Sequence, residues 1–255
     1  MSVGRGGTLG MAAAAAIPMG LGWWQIARLN WKRDQVEQRR STLFGDGAEP
    51  ASLRGADVSA ELLGSMVNRR VLLTGRFDHA EEVLVGIRQL PSVGEGERGQ
   101  HGYLVLAPLQ LQDGTRVLVN RGWVPREMRA PGRRAHLRPT DEATLHAVVR
   151  PGENGAFWMP GGKAASREWT FIDAAAIASA TRSADCDAIF EVTASPGTEE
   201  AAELAMPRPR TLESYMHFPV TPYKHQVYAG TWFALSASSA CWCPRPCCCC
   251  CCCCF

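Results

Sequence analysis

The sequence has almost no net charge. Its 27 Lys and Arg residues nearly balance its 25 Asp and Glu residues, which leaves a formal charge of +2 with histidine neutral. A nucleic-acid-binding domain needs an excess of basic residues gathered on one face. We therefore expect no nucleic-acid partner. The length of 255 residues allows one sizeable domain with anchoring segments, or two small domains.

Cysteine is nearly absent from the body of the chain. Only Cys186 precedes Cys241, and eight of the 11 cysteines form the run Cys247–Cys254. The body therefore lacks a disulfide framework and lacks paired metal-ligand spacing. We interpret the low-complexity tail at 244–255 as an artefact of the reading frame or of the gene model. A genuine tail would bind soft metals or carry acyl chains.

The motifs of common enzyme classes are also missing. The chain has no Gly-x-Ser-x-Gly, no His-Glu-x-x-His and no phosphate-binding Gly-x-x-x-x-Gly-Lys. We predict no catalytic residue and no metal site. The alternative is a membrane-tethered hydrolase or transferase, in which Asp78, Glu81 and Glu82 lie near an active cleft. That alternative requires convergent acids with perturbed pKa values in an apolar pocket.

Two uncharged runs are present near the ends of the chain. Residues 6–27 carry no charge and are predicted to form a first transmembrane helix, with Trp23 and Trp24 at its end. A cleaved signal peptide and a buried core helix are the alternatives. Residues 227–243 are predicted to form a partial second transmembrane helix, which Pro244 stops.

The predicted fold class is α+β, with a β-rich extramembrane domain between the N-terminal transmembrane helix and the truncated C-terminal one. Residues 28–56 are predicted as a juxtamembrane helix and loop, residues 57–200 as the β-rich soluble domain, and residues 201–226 as a linker. Five basic residues within 28–40 would place the domain on the cytoplasmic or matrix side by the positive-inside rule.

Short β-prone runs separated by turn residues predict the strands of this domain. Asp113-Gly114 between two such runs indicates a hairpin. Asp173 is predicted to cap a short helix that ends near Ala180. The predicted strands are Val71–Phe77, Glu82–Ile87, Gly102–Ala107, Arg116–Asn120, 143–149, 168–172 and 188–193.

Four local patterns resemble the surfeit locus protein 1 family in their order and separation. The most specific is Val117-Leu-Val-Asn-Arg-Gly-Trp-Val-Pro125. The others are Gly22-Trp-Trp-Gln-Ile-Ala-Arg28 followed by Trp31-Lys32, the strand Val71–Phe77 leading to Glu82–Gly86, and His225-Gln-Val-Tyr-Ala-Gly-Thr-Trp232. Each pattern is weak alone, whereas the ordered set is strong and spans residues 20 to 235.

The resemblance implies a non-enzymatic assembly factor for cytochrome c oxidase. The family's soluble domain lies between two membrane helices and faces the intermembrane space in mitochondria or the periplasm in bacteria, which conflicts with the charge rule above. The implied role is at the step where haem a enters subunit 1. The implied partners are that subunit, other assembly factors and the lipid bilayer. We expect the mitochondrial inner membrane, with the bacterial plasma membrane as the alternative.

The resemblance also favours particular site residues. His225 is the candidate for transient haem a contact, although it would equally sit at the headgroup level beside Tyr223. Arg121 has a planar fork able to hold a haem propionate, and the alternative is an internal ion pair. The predicted partner or membrane interface comprises Trp23, Trp24, Gln25, Arg28, Asn120, Trp123, Tyr228 and Trp232.

Overall fold

The computed structural model describes residues 5–46, 49–90, 99–155, 162, 167–184, 187–195, 197–218 and 221–241. The chain divides into two compact units. The helical unit comprises Met1–Gln38 and Phe218–Phe255, and the sheet unit comprises Arg39–His217. The cysteine tail at 244–255 lies outside the described residues.

Five α-helices and eight strands are present in the described residues. The helices are α1 Arg5–Phe44, α2 Ala60–Ser65, α3 Ala174–Thr181, α4 Glu199–Leu204 and α5 Pro222–Cys241. The strands are β1 Ala51–Ser52, β2 Arg70–Phe77, β3 Val83–Gln89, β4 His101–Leu111, β5 Arg116–Pro125, β6 Ala143–Pro151, β7 Glu168–Trp169 and β8 Ala188–Val192. The predicted α+β class, with a large sheet and an N-terminal helix, is confirmed.

Helices α1 and α5 of the helical unit pack against each other in opposite directions. The Ser236 hydroxyl donates a hydrogen bond to the Ala15 carbonyl at 2.7 Å. Gly22 lets the Phe233 ring approach so closely that a Cβ at this glycine would lie 2.4 Å from it. Within the described residues, neither of these helices nor any other is both long enough and apolar enough to cross a membrane. The predicted transmembrane spans are therefore not confirmed.

Five strands of the sheet unit pair in a closed ring. The neighbours around it are β2, β6, β8, β5 and β4, and β4 pairs again with β2. Every pairing in the ring is antiparallel except that of β5 with β8. Each strand of the ring has a neighbouring strand on both sides, so closure removes the free edges of the sheet. Strand β3 pairs with β4 outside the ring.

Alternate residues of the ring strands fill its interior. This period of two is what a pleated strand imposes, since successive side chains point to opposite faces. The interior side chains are Val71, Leu73, Ala107, Leu109, Val117, Val119, Ala147, Val149, Ala188 and Phe190. The outer face of β5 and β8 buries Leu118 and Ile189 against Ile177 of α3, which begins after the predicted cap Asp173.

Residues 201–217 of the segment predicted as a linker, 201–226, belong to the sheet unit. Arg208 exchanges two backbone hydrogen bonds with Trp123 of β5, at 2.7 and 2.8 Å. A short 3-10 helix, Glu213–Met216, buries Tyr215 against Val148 and Leu43. This packing was not predicted, because residues 195–215 are rich in Pro and Glu, which is typical of a linker.

Candidate functional site

The motif Asn120-Arg121-Gly122 forms a β-bulge in β5. Val105 pairs with Gly122 and the next residue of β4, Leu106, pairs with Asn120, so Arg121 has no partner in the ladder. Gly122 has a φ of 125°, and a Cβ there would lie 2.2 Å from the Arg208 carbonyl oxygen. A bulge redirects side chains. Asn120 and Arg121 consequently serve two different clusters.

The first cluster surrounds the Glu82 carboxylate and is termed the closed cluster. It comprises Glu82, His79 and three arginines, Arg121, Arg134 and Arg138. The Arg134 guanidinium donates to Glu82 Oε1 through Nη2 at 2.6 Å and Nε at 3.1 Å. Arg121 reaches Glu82 Oε2 at 3.5 Å. The Glu82 side chain is 2% exposed, so this carboxylate is buried and fully paired.

The arginines of the closed cluster also hold the loop that follows β5. The Arg134 guanidinium donates to the carbonyls of Met128 and Arg129, and the Arg121 guanidinium donates to the carbonyl of Leu137. Burial lowers the pKa of Arg121, an effect that Glu82 opposes. A buried ion pair of this kind fixes geometry more than it adds stability. Arg121 thus forms the internal ion pair that was the alternative to holding a haem propionate.

The other acids proposed for an active cleft are also ion-paired. Asp78 accepts a hydrogen bond from Arg116 at 2.9 Å. Glu81 lies 2.8 Å from Arg182 and 3.1 Å from Arg167. Each of the three acids is thus held by at least one guanidinium group, whereas the enzymatic alternative requires acids that converge in an apolar pocket.

The second cluster surrounds the Glu191 carboxylate and is termed the open cluster. It comprises Glu191, Asn120, Tyr215, Arg150 and Arg210. The Tyr215 hydroxyl donates to Glu191 Oε2 at 2.7 Å, and the Asn120 amide donates to Oε1 at 3.2 Å. Burial first, and then Glu191, raise the pKa of Tyr215 well above its ordinary value. Arg150 and Arg210 stand farther off, at 4.0 and 3.8 Å.

His225 and Gln25 meet in the helical unit. The His225 Nδ1 and Gln25 Oε1 atoms lie 2.8 Å apart, although the residues are 200 positions apart in sequence. With Gln25 Oε1 as the acceptor, the contact corresponds to the tautomer that carries its proton on Nδ1, and in that tautomer the Nε2 lone pair is left for a ligand. A histidine that binds a metal usually donates its other ring N–H to a polar neighbour in this way. In that tautomer His225 would hold a haem iron through Nε2, and Gln25 would fix the orientation of the ring.

Aromatic side chains are exposed on the same unit. Trp23 is 64% exposed and Trp24 57%, and Tyr228 is half exposed. The exposed Arg28 guanidinium lies 3.9 Å from the centre of the Trp31 ring. Trp232 is partly exposed on α5. Exposed tryptophan and tyrosine are typical of membrane–water interfaces and partner surfaces.

Two predicted interface residues are instead buried in the sheet unit. Asn120 is 0% exposed and donates to Glu191, and Trp123 is 1% exposed. The Trp123 indole donates to the Arg88 carbonyl at 3.1 Å. Neither side chain can contact a partner or a membrane from these positions, so their predicted interface role is corrected to a packing role. Gln25 is also buried, against His225.

Sequence reasoning missed Glu191, Arg150 and Arg210. The available signal was a charged residue next to buried strand residues, since Glu191 follows Ile189-Phe190 and Arg150 follows Ala147–Val149. Charged residues are rarely buried unless paired. The pattern would have predicted a buried polar cluster, but not its members, because Arg210 comes from a distant segment.

Comparisons with known proteins cover nearly all of the described residues. The chain matches the SURF1 family over residues 12–237. It is 31% identical over 239 residues to a SURF1-like protein of Monosiga brevicollis, covering 91% of this chain and 85% of that protein. A SURF1-like protein of Drosophila melanogaster is 32% identical over 237 residues, with 88% and 72% covered. Surfeit locus protein 1 of Mus musculus is 29% identical over 236 residues, with 88% and 70% covered.

Proposed function

Because this chain belongs to the SURF1 family, we propose that it is a membrane-anchored assembly factor for cytochrome c oxidase. It assists haem a insertion or the maturation of subunit 1, and it acts with that subunit and other assembly factors. Its cellular location is the mitochondrial inner membrane, with the sheet unit in the intermembrane space. In a bacterium, the equivalent is the plasma membrane and the periplasm.

The Gln25–His225 hydrogen bond is the observation that carries this proposal. It holds the imidazole in one tautomer, so that Nε2 is available to haem a iron. Haem a would supply redox-active iron and an amphiphilic ring that suits a site beside exposed aromatic groups. Arg121 is left out of the haem contact, since its guanidinium is occupied by Glu82 and Leu137.

Membrane anchoring is supported by the uncharged run at 6–27 and by the exposed rings around it. Trp23 and Trp24 lie near the end of that run, and Tyr228 and Trp232 lie on α5. Such amphipathic rings favour the headgroup level of a bilayer. A non-catalytic role is supported by the ion pairing of Asp78, Glu81 and Glu82.

Haem contact is tested by absorption spectroscopy of the full chain, purified in detergent from cells that make haem a. We expect a haem a spectrum from the wild type and its loss in His225→Ala. Gln25→Ala should retain haem with weaker loading, because about 10–100-fold in metal affinity is lost with such a supporting hydrogen bond. His136→Ala, an exposed histidine in the sheet unit, is the matched control.

The result that would overturn haem contact is a wild-type protein without haem, or equal haem content in wild type and His225→Ala. The assembly role has its own test. Removal of the gene should abolish assembled oxidase while the transcripts of its subunits stay normal, and the wild-type gene should restore assembly. Normal oxidase in the deletion strain would contradict the assembly role.

A further inference from the structure

A groove on the outer face of the sheet unit encloses about 310 Å³. Four strands contribute to its lining, with Arg88 from β3, Leu104 from β4, Ile189 and Glu191 from β8, and Arg150 from β6. This volume lies at the lower end of the range of small-molecule sites, which is roughly 300–1,000 Å³. The groove is therefore the size of a small ligand.

The charged side chains that line the groove carry a net positive charge. Three arginines, Arg88, Arg150 and Arg210, line it together with two glutamates, Glu153 and Glu191. Arg88 forms an ion pair with Glu153, which leaves two arginines facing one carboxylate. One positive charge is thus in excess, and this matches a ligand with a single negative charge.

The two arginines of the open cluster make no hydrogen bond to that carboxylate. Arg150 Nε and Arg210 Nη1 lie 4.0 and 3.8 Å from Glu191 Oε2, beyond hydrogen-bond distance. The oxygens of Glu191 are occupied by shorter bonds from Tyr215 and Asn120. The guanidinium groups are therefore attracted to Glu191 while keeping donors for another acceptor.

Other contacts account for only some of those donors. Arg150 Nη1 donates to Asn68, and Arg210 Nε and Nη2 donate to the hydroxyl and carbonyl of Ser214. Among the contacts between described residues, Arg150 Nη2 and Arg210 Nη1 have no hydrogen-bond acceptor. Burial first, then Arg150 and Arg210, lower the pKa of the nearby Arg39, as expected where positive charge is concentrated.

The floor of the groove is apolar. Ile172 and Ile189 are buried, and Leu104 is partly buried against the same core cluster. An anion without an apolar part would leave this floor in contact with water. Burying apolar area there contributes about 25 cal/mol per Å². The lining thus favours a ligand with two parts of different chemistry.

We propose that this groove binds a small ligand with one anionic group and a short apolar body. The anionic group accepts hydrogen bonds from Arg150 Nη2 and Arg210 Nη1, and the apolar body lies on Leu104, Ile172 and Ile189. The site goes beyond the proposed oxidase-assembly function. It depends neither on His225 nor on haem.

Calorimetric titration with octanoate tests the site, using the full chain in detergent. We expect saturable binding of octanoate and at least about tenfold weaker binding in Arg210→Gln, since a charge-assisted hydrogen bond is lost. Arg129→Gln is the matched control, because it removes an exposed arginine that pairs with Glu168 outside the groove. The wild type and the variants are measured in the same detergent, so that partition of octanoate into micelles is equal in every titration.

Two further probes separate the parts of the proposal. Octanamide has the same apolar body without the charge, and inorganic phosphate has charge without an apolar body; both should bind at least about tenfold more weakly than octanoate. Equal binding of octanamide, equal binding of phosphate, or no binding of octanoate would overturn the proposal. If Arg210→Gln does not fold, Arg210→Lys keeps the charge and should still weaken binding, since lysine lacks the planar fork.

Discussion

The closed and open clusters use the same chemistry to different ends. Each gathers several arginines around one buried glutamate. In the closed cluster, Arg134 donates to Glu82 at 2.6 Å through Nη2 and to the carbonyls of Met128 and Arg129 through Nη1. In the open cluster, Arg210 stands 3.8 Å from Glu191 and lines a groove. Arg121 and Arg134 of the closed cluster hold a loop, whereas Arg150 and Arg210 of the open cluster would donate to the ligand that we propose.

This difference shows that the number of arginines around a glutamate does not reveal its role. What matters is whether other groups already occupy the carboxylate. Tyr215 and Asn120 donate hydrogen bonds to the Glu191 carboxylate, and the arginines lie farther from it. Among the described residues, no neutral group donates a hydrogen bond to the Glu82 carboxylate. Changes at the two clusters should therefore differ in kind and in size.

Glu82→Gln should have the largest effect. It leaves the buried guanidinium groups of Arg121 and Arg134 without a charged partner, and we expect a loss of about 3–5 kcal/mol in the free energy of unfolding. Urea unfolding of the full chain in detergent measures it. Glu168→Gln, which breaks an exposed pair with Arg129, should change little. Equal losses in the two variants would contradict the closed character of the cluster.

Glu191→Gln should cost less, about 1–2 kcal/mol. A glutamine oxygen still accepts from the Tyr215 hydroxyl, and the loose approach of Arg150 and Arg210 has little to lose. The same urea unfolding measures the loss. A loss as large as that of Glu82→Gln would mean that the open cluster is structural, and the distinction between the clusters would fail.

Tyr215 should ionise at a higher pH than the other three tyrosines of the chain. Because burial and Glu191 raise its pKa, tyrosinate absorbance in an alkaline titration should show one group that lags the rest. In Glu191→Gln the carboxylate no longer opposes ionisation, so this group should ionise at lower pH while still lagging through burial. An unchanged titration in that variant would place Tyr215 outside the influence of Glu191.

His79 should give the smallest effect, and one that depends on pH. Its Nε2–H donates to the Pro139 carbonyl at 2.8 Å, and burial lowers its pKa. A lowered folded pKa means that its stabilisation is present above about pH 6.5 and is lost as pH falls through the folded value. The melting temperature of the wild type should thus fall more steeply than that of His79→Gln between about pH 7.5 and about pH 5.5. Parallel curves would contradict this.

Much of the fold was predictable because its strands have a clear period and clear turns. The structure contains strands over the predicted runs 143–149 and 188–193, and Asp173 caps α3 as expected. Closure of the ring was not predictable, since the pairing of β2 with β4 depends on register across distant segments. The predicted strand 168–172 is shorter, because the Ile172 backbone bonds Glu153 instead of a strand.

The candidate site was predictable only in part. The four local patterns indicated the family, and the comparisons confirm it. They also drew attention to Asn120, Arg121 and His225, but not to what each contacts. Gln25 was predicted as an interface residue, and its pairing with His225 joins the two ends of the chain. Long-range partners of this kind leave no spacing in a sequence.

The bulge at Arg121 makes the length of its strand as important as its composition. Side chains alternate along a strand, and a bulge absorbs one extra residue so that pairing resumes in step beyond it. Loss of one residue between Asn120 and Gly122 would restore even pairing with β4, with Trp123 still opposite Leu104, and would remove the unpaired position that Arg121 occupies. A substitution at Arg121 changes one member of the closed cluster, whereas a single-codon deletion would remove the bulge that lets neighbouring residues serve two clusters.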